Sequence, residues 1–81
     1  MQLELSKHAR NMMTERNISE AWIRSAVTNP DRKDAGMDNN IHYFKSIPEH
    51  GGRILHVVLN ARVAPARVVT AFFDRSARRK T

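Results

Sequence analysis

The sequence predicts an α+β fold, in which two N-terminal helices pack on a three- or four-stranded antiparallel sheet. Apolar residues recur at helical spacing up to Pro30. The later part of the chain alternates β-branched or aromatic residues with polar ones, as half-buried strands do. The chain has 81 residues and no cysteine. We therefore expect one small domain with a thin core, without disulfides or thiolate metal sites to supplement it.

The first two elements are helices with recognisable ends. Ser6 is a good N-cap for the first helix, and Asn17 is expected to end that helix. Ser19 is placed to cap the second helix. Asn29-Pro30 ends it, because the residue before a proline is pushed out of the α region.

The rest of the chain is predicted to be a polar loop followed by an antiparallel meander. The polar run 31–40 has few residues to bury, so we expect a mobile loop there. Three strands follow, with turns at Gly51-Gly52 and around Pro65: 41–47, 53–60 and 67–73. Leu3 and Leu5 predict a short fourth strand.

Alternation along the strands assigns two faces to the sheet. His56 lies on the face opposite to Leu55. If the second hairpin pairs Val58 with Val68, His56 stands opposite Thr70, and a shift of one residue would destroy that pairing. Two helices cover only one face, so we expect a functional groove on the other.

The charge of the chain indicates a polyanionic partner. Its net charge is +6, and arginine, the main basic residue, suits bidentate phosphate recognition. Nucleic acid or an acidic protein is therefore expected as a partner. We divide the chain into a domain at 1–74 and a basic tail at 75–81. It has no signal-peptide pattern and no apolar run that could cross a bilayer, so we expect a cytoplasmic protein without a membrane partner.

Several segments carry a family resemblance: Leu5-Ser6-Lys7-His8-Ala9, Arg16-Asn17-Ile18-Ser19, Leu55-His56-Val57-Val58 and Val68-Val69-Thr70-Ala71-Phe72-Phe73. They resemble a family of small bacterial and phage-borne domains of unknown function. That family is distantly similar to the RelE-type and BrnT-type toxins, small metal-independent ribonucleases of toxin–antitoxin pairs. The resemblance implies their architecture, two helices before an antiparallel sheet, and RNA as a target.

Metal-independent RNA cleavage needs a base, an acid and cations for the phosphate charge. His8 lies in the first turn of the first helix, where the dipole favours a neutral imidazole that can act as a base. His56 is the other acid–base candidate, with Thr70 and Lys45 as its candidate partners. His42 and His50 are interpreted as loop or edge residues. The cations expected to contact nucleic acid are Lys7, Arg16, Lys45, Arg53, Arg67 and Arg75.

Three functions stay open at this point. The chain is a toxin-like ribonuclease or a degenerate relative of one, a non-catalytic nucleic-acid-binding module, or an interaction protein for an acidic antitoxin-like partner. Whether it is an enzyme, and its oligomeric state, are not decided by the sequence. Each candidate residue also has a structural interpretation: His8 as a helix-start residue and His56 as a half-buried strand histidine. The four histidines lack the spacing of a metal site, and we predict no metal ion and no cofactor.

Overall fold

The computed structural model describes residues 2–77 and has two helices and five strands. The helices are α1 (Lys7–Arg16) and α2 (Glu20–Thr28). The strands are β1 (Leu3–Leu5), β2 (Arg32–Ala35), β3 (Ile41–Ile47), β4 (Arg53–Asn60) and β5 (Ala66–Phe73). They form one sheet in the order β1-β5-β4-β3-β2. The α+β prediction is confirmed, but the sheet is larger than expected and is mixed, because β1 runs parallel to β5.

Both predicted helix caps are confirmed. The Ser6 Oγ accepts a hydrogen bond from the Ala9 amide at 3.0 Å, and the Ser19 Oγ accepts one from the Trp22 amide at 3.1 Å. Each bond satisfies an amide that has no partner within its helix. Asn17 ends α1 in the left-handed conformation with φ of 55°, which asparagine tolerates better than most residues. Local side-chain chemistry therefore sets these boundaries.

The short strand β1 ties the N-terminus to the edge of the sheet. Leu3 pairs with Ala66 in parallel register. Ser6 continues the attachment, because its amide donates to the Val68 carbonyl at 3.1 Å and its hydroxyl donates to the Val69 carbonyl at 2.8 Å. The predicted strand at Leu3–Leu5 is confirmed.

The prediction of a mobile loop over 31–40 was wrong for its first half. Residues 32–35 form β2, which pairs antiparallel with β3 from Arg32 opposite Phe44 to Ala35 opposite Ile41. All four residues of β2 are exposed, which an edge strand tolerates because backbone pairing on one side holds it. The Asp31 carboxylate adds an anchor by accepting a hydrogen bond from the Ser46 amide at 2.8 Å.

The structure decides the register between β4 and β5, which the sequence left open. Val58 pairs with Thr70, and His56 pairs with Phe72. The alternative that pairs Val58 with Val68 does not occur, so Thr70 does not stand opposite His56. The register shifts between Val58 and Leu59, where one extra residue in β5 forms a β-bulge.

The helices cover one face of the sheet, and the core lies between them. Leu55, Val57 and Val68 of that face are fully buried, against Ala9 of α1 and Ile23 of α2. The opposite face carries no helix, as expected. We call it the helix-free face and define it by His42, Phe44, His56, Val58, Thr70 and Phe72.

After β5 the chain turns through Arg75–Ala77, a single 3-10 turn. The predicted boundary at 74 and the basic tail at 75–81 stay predictions, since residues 78–81 lie outside the described part of the chain. Neither α1 nor α2 is long and apolar enough to cross a membrane.

Candidate functional site

Four side chains form a continuous line of hydrogen bonds on the helix-free face. His42 Nδ1 lies 2.7 Å from His56 Nε2, and His56 Nδ1 lies 2.8 Å from Asp74 Oδ2. At the other end, His42 Nε2 lies 3.2 Å from Asp38 Oδ1. We call Asp38, His42, His56 and Asp74 the histidine chain.

Strand register brings the two imidazoles together. His42 of β3 pairs with Val58 of β4, and Phe44 pairs with His56. The two histidines are therefore diagonal neighbours on one face, a distance that long side chains bridge. Asp74 follows β5 directly, and its amide donates to the Ile54 carbonyl at 2.9 Å, which fixes it beside β4.

Both terminal carboxylates are held by their own loops. Asp74 Oδ1 accepts hydrogen bonds from the Ser76 hydroxyl at 2.6 Å and the Ser76 amide at 2.9 Å. These bonds, with the one from His56, lower the pKa of Asp74 below its usual range, although partial burial opposes the effect. The amide of Asn40, followed by His42, lowers the pKa of Asp38 in the same way. Both aspartates are therefore negative acceptors at neutral pH.

The β2–β3 connection leaves space for the Asp38–His42 contact at Gly36. The Gly36 amide donates to the Asn40 carbonyl at 2.8 Å, and Asn39 adopts a left-handed conformation with φ of 65°. A Cβ at position 36 would collide with the Asp38 carboxylate and the His42 ring. Glycine is thus required for the close approach of this turn to the histidine chain.

The hydrogen-bond geometry limits how protons can be arranged in the histidine chain. A carboxylate only accepts hydrogen bonds, so a bond from His42 Nε2 or His56 Nδ1 to its aspartate needs a proton on that nitrogen. Which nitrogen donates between His42 Nδ1 and His56 Nε2 depends on the tautomers of the two rings. A proton on both of these nitrogens would place two N–H groups against each other at 2.7 Å.

Solvent exposure of the side chains increases along the histidine chain from His56 through His42 to Asp38. The side chain of His56 is 12% exposed and that of His42 is 21% exposed, whereas Asp38 is 49% exposed. His56 is also enclosed by aromatic rings, with centroid distances of 4.2 Å to Phe44 and 4.7 Å to Phe72. Asp38 is therefore the most exposed member of the histidine chain, His42 is the more exposed of the two imidazoles, and His56 connects His42 to Asp74.

A cleft of about 770 Å³ lies beside the chain, where β4 begins and β5 ends. We call it the arginine cleft. Three arginines from separate elements line it: Arg16 ends α1, Arg53 begins β4 and Arg75 follows β5. Within residues 2–77, none of the three forms an ion pair or hydrogen bond through its side chain. The other lining residues are Met12, His50, Gly51, Gly52, Ile54, Phe72, Phe73 and Asp74.

The profile of a domain of unknown function, DUF4258, matches residues 5–73. The chain belongs to this family. Neither a curated protein nor a solved structure matches it significantly. The family match agrees with the predicted membership in a group of small domains of unknown function, and the similarity to RelE-type and BrnT-type toxins stays a prediction.

Of the predicted catalytic residues, this DUF4258 domain places His56 in the histidine chain. His8 is exposed on α1, so the sheet separates it from His56. Thr70 lies on the helix-free face, but the ring nitrogens of His56 bond His42 and Asp74 instead. The interpretation of His42 as a loop or edge residue was wrong, because β3 lies between β4 and β2. His50 lies in the turn after β3, as expected.

The predicted nucleic-acid contacts divide into two groups. Arg16, Arg53 and Arg75 meet at the arginine cleft. The other three are elsewhere: the Lys45 ammonium donates to the Asn29 carbonyl, Arg67 pairs with Glu4, and Lys7 is exposed in the first turn of α1. The roles of all six stay predictions. The sequence predicts these cations one by one, whereas the meeting of three of them at one cleft depends on the tertiary fold.

The side chains of the described residues are not arranged to bind a metal ion. Among residues 2–77, no group of three or more histidine, aspartate or glutamate side chains has the arrangement to hold an ion. In the histidine chain, the ring nitrogens that could ligate a metal are instead bonded to each other and to carboxylates. The expectation that the protein uses no metal or cofactor stays a prediction.

Proposed function

We propose that this DUF4258 protein is a metal-independent ribonuclease in which the histidine chain moves the protons of the reaction. The observation that carries the proposal is the bonded series His42–His56–Asp74, with His42 as its more exposed imidazole. The predicted distant similarity of its family to RelE-type and BrnT-type toxins is one reason to propose RNA as the substrate, and the net charge of +6 is another.

The His56–Asp74 contact supports an acid–base role. An aspartate bonded to Nδ1 of an imidazole fixes its tautomer and stabilises the imidazolium that forms when the ring accepts a proton. Here the effect is passed to His42, because His56 Nε2 contacts His42 Nδ1 at 2.7 Å. His42 is thus the group that meets the substrate, and His56 and Asp74 are positioning residues.

The proposed reaction is a transesterification within RNA. The reaction begins when the ribose 2′-hydroxyl takes the place of the exposed Asp38 carboxylate at His42 Nε2. In that state Nε2 carries no proton, and it accepts the proton of the 2′-hydroxyl. The 2′-oxygen bonds to phosphorus, and the bond from phosphorus to the 5′-oxygen breaks. The pair then returns its proton to the 5′-oxygen. The products are a 2′,3′-cyclic phosphate and a free 5′-hydroxyl, and the protein is unchanged.

The test is cleavage of a fluorogenic RNA oligonucleotide in the presence of EDTA. Wild-type protein should cut RNA and leave the same strand with 2′-O-methyl riboses intact. His42→Gln keeps a polar side chain of similar size but cannot exchange a proton. Loss of general acid–base catalysis typically costs about 10²–10⁴-fold in rate, and we expect a loss in that range for this variant.

His8→Gln is the matched control, since it removes an exposed histidine on the other side of the sheet. Thermal melting of each variant separates loss of activity from loss of folding. A rate that is unchanged in His42→Gln, or lost equally in His8→Gln, would contradict the proposed roles. A wild-type protein that binds RNA without cutting it would favour the nucleic-acid-binding alternative.

The predicted acidic, antitoxin-like protein partner is a separate proposal. Its support is the net positive charge of +6. If such a partner inhibits the ribonuclease, co-purification with it should abolish cleavage, and its removal in denaturant followed by refolding should restore cleavage.

A further inference from the structure

We infer that the arginine cleft binds a nucleotide through its phosphate group. This inference extends the proposed function, because it gives the protein a second contact with an RNA strand beside the histidine chain. It rests on four observations: the charge of the cleft, its size, its apolar wall and the residues that it shares with the histidine chain.

The net positive charge of the arginine cleft favours an anionic ligand. Arg16, Arg53 and Arg75 face one acidic lining residue, Asp74, which leaves a net charge of +2. The Asp74 carboxylate accepts hydrogen bonds from Ser76 and His56. Among the described residues, none of the three guanidinium groups forms an ion pair with it. A phosphate offers the planar fork of arginine two acceptor oxygens at once.

The size and apolar wall of the cleft favour a nucleotide over a bare phosphate ion. Its volume of about 770 Å³ falls within the range of roughly 300–1,000 Å³ that small-molecule sites occupy. Met12, Ile54 and Phe73 contribute apolar surface beside the arginines. A ribose and base could lie against that surface while the arginines hold the phosphate.

The cleft adjoins the histidine chain through two shared residues. Asp74 lines the cleft and accepts a hydrogen bond from His56. Phe72 lines the cleft and packs against the His56 ring at a centroid distance of 4.7 Å. The cleft therefore lies at the Asp74 end of the histidine chain, and an RNA strand that reaches both His42 and the cleft would place its nucleotide there.

The test is isothermal titration calorimetry of the full chain with adenosine 5′-monophosphate. Adenosine without phosphate should bind at least about tenfold more weakly if charge-assisted bonds to the phosphate supply the affinity. Binding should weaken with added salt, because exposed charges are screened. Tetraglutamate serves as a carboxylate probe for an acidic protein partner. If adenosine or tetraglutamate binds as tightly as the nucleotide, the inference is overturned.

Variants locate the binding. Arg53→Gln and Arg16→Gln should each weaken nucleotide binding by at least about fivefold, because each removes charge-assisted hydrogen bonds to the phosphate. Arg62→Gln is the matched control, since Arg62 is exposed after the opposite end of β4. If Arg53→Gln and Arg16→Gln both bind like Arg62→Gln, the arginine cleft is not the binding site.

The two proposals fail in different ways. His42→Gln should slow cleavage by about 10²–10⁴-fold and leave binding of adenosine 5′-monophosphate unchanged. If wild type cuts RNA but does not bind the nucleotide, only the cleft inference fails. If it binds the nucleotide through the arginines but does not cut RNA, only the proposed chemistry fails.

Discussion

Replacement of Asp74 by alanine is the sharpest test of the histidine chain as a structural unit. The Asp74 carboxylate accepts hydrogen bonds from the Ser76 amide, the Ser76 hydroxyl and His56 Nδ1, at 2.9, 2.6 and 2.8 Å. The side chain is only 15% exposed, and that of His56 is 12% exposed. Alanine would leave all three donors without this acceptor, and His56 has little access to water as a replacement.

The expected cost follows from these contacts. A hydrogen bond to a charged group contributes about 1.5–3 kcal/mol. The bonds from Ser76 contribute less, because Ser76 is exposed and its donors can turn to water. We therefore expect Asp74→Ala to lower the free energy of unfolding by about 2–3 kcal/mol. In a domain of this size each 1 kcal/mol lowers Tm by about 4–8 °C, so Tm should fall by roughly 10–20 °C.

The assay is thermal unfolding by circular dichroism over a range of pH. The pKa of Asp74 is lowered by folding, so its stabilisation is complete above the ordinary value of 3.8 and is lost as pH falls through the folded value. The difference in Tm between wild type and Asp74→Ala should therefore be largest near neutral pH and should shrink below pH of about 4.

A matched variant controls for the loss of one negative charge from a basic protein. Glu49 is an exposed carboxylate in the turn after β3, so Glu49→Ala should leave Tm nearly unchanged. If Asp74→Ala melts at the same temperature as Glu49→Ala, the hydrogen bonds to Asp74 do not stabilise the fold. If the difference from wild type persists unchanged in acid, the negative charge of Asp74 is not its cause.

Two further predictions concern the core and the turn beside the chain. Leu55 is fully buried, so Leu55→Ala should lower the free energy of unfolding by about 2–5 kcal/mol in denaturant titrations. Val63→Ala, at a 39% exposed site, should barely move the denaturation midpoint. Equal midpoints for the two variants would contradict the assigned core. Gly36→Ala should displace Asp38 and the His42 ring, because the added Cβ collides with both. Gly36→Ala should change the His42 ring resonances in NMR spectra and slow cleavage. If the variant keeps the wild-type resonances, the turn accommodates the added Cβ without moving His42.

The elements with local signals were predictable from the sequence. Ser6, Asn17 and Ser19 define helix ends through bonds or conformations within a few residues of themselves. The strands β3 and β4 have the predicted limits, because their β-branched alternation is bounded by a turn with Gly51 and Gly52 at positive φ. Such features depend on short-range sterics and hydrogen bonds, which the sequence displays directly.

The elements without local signals were missed. The strand β2 has no apolar alternation, since all four of its residues are exposed, and it exists because β3 offers it a backbone edge. The bulge in β5 has no residue signature either, because Val68 and Val69 suit any strand. Both depend on pairing between distant segments, so a reading of local propensity does not find them.

The contacts of the histidine pair can be predicted from the sequence only in part. Once Ile47 and Arg53 are paired across the turn, the continuous ladder of β3 and β4 sets Phe44 opposite His56 and leaves His42 diagonal to it on the same face. The predicted strand limits thus already imply the contact, although neither histidine signals it by itself. The contact with Asp74 is different, since it depends on the bulge that determines how β5 reaches its end beside β4. The acid–base half of the proposed site was therefore accessible from the sequence, and the carboxylate that anchors it was not.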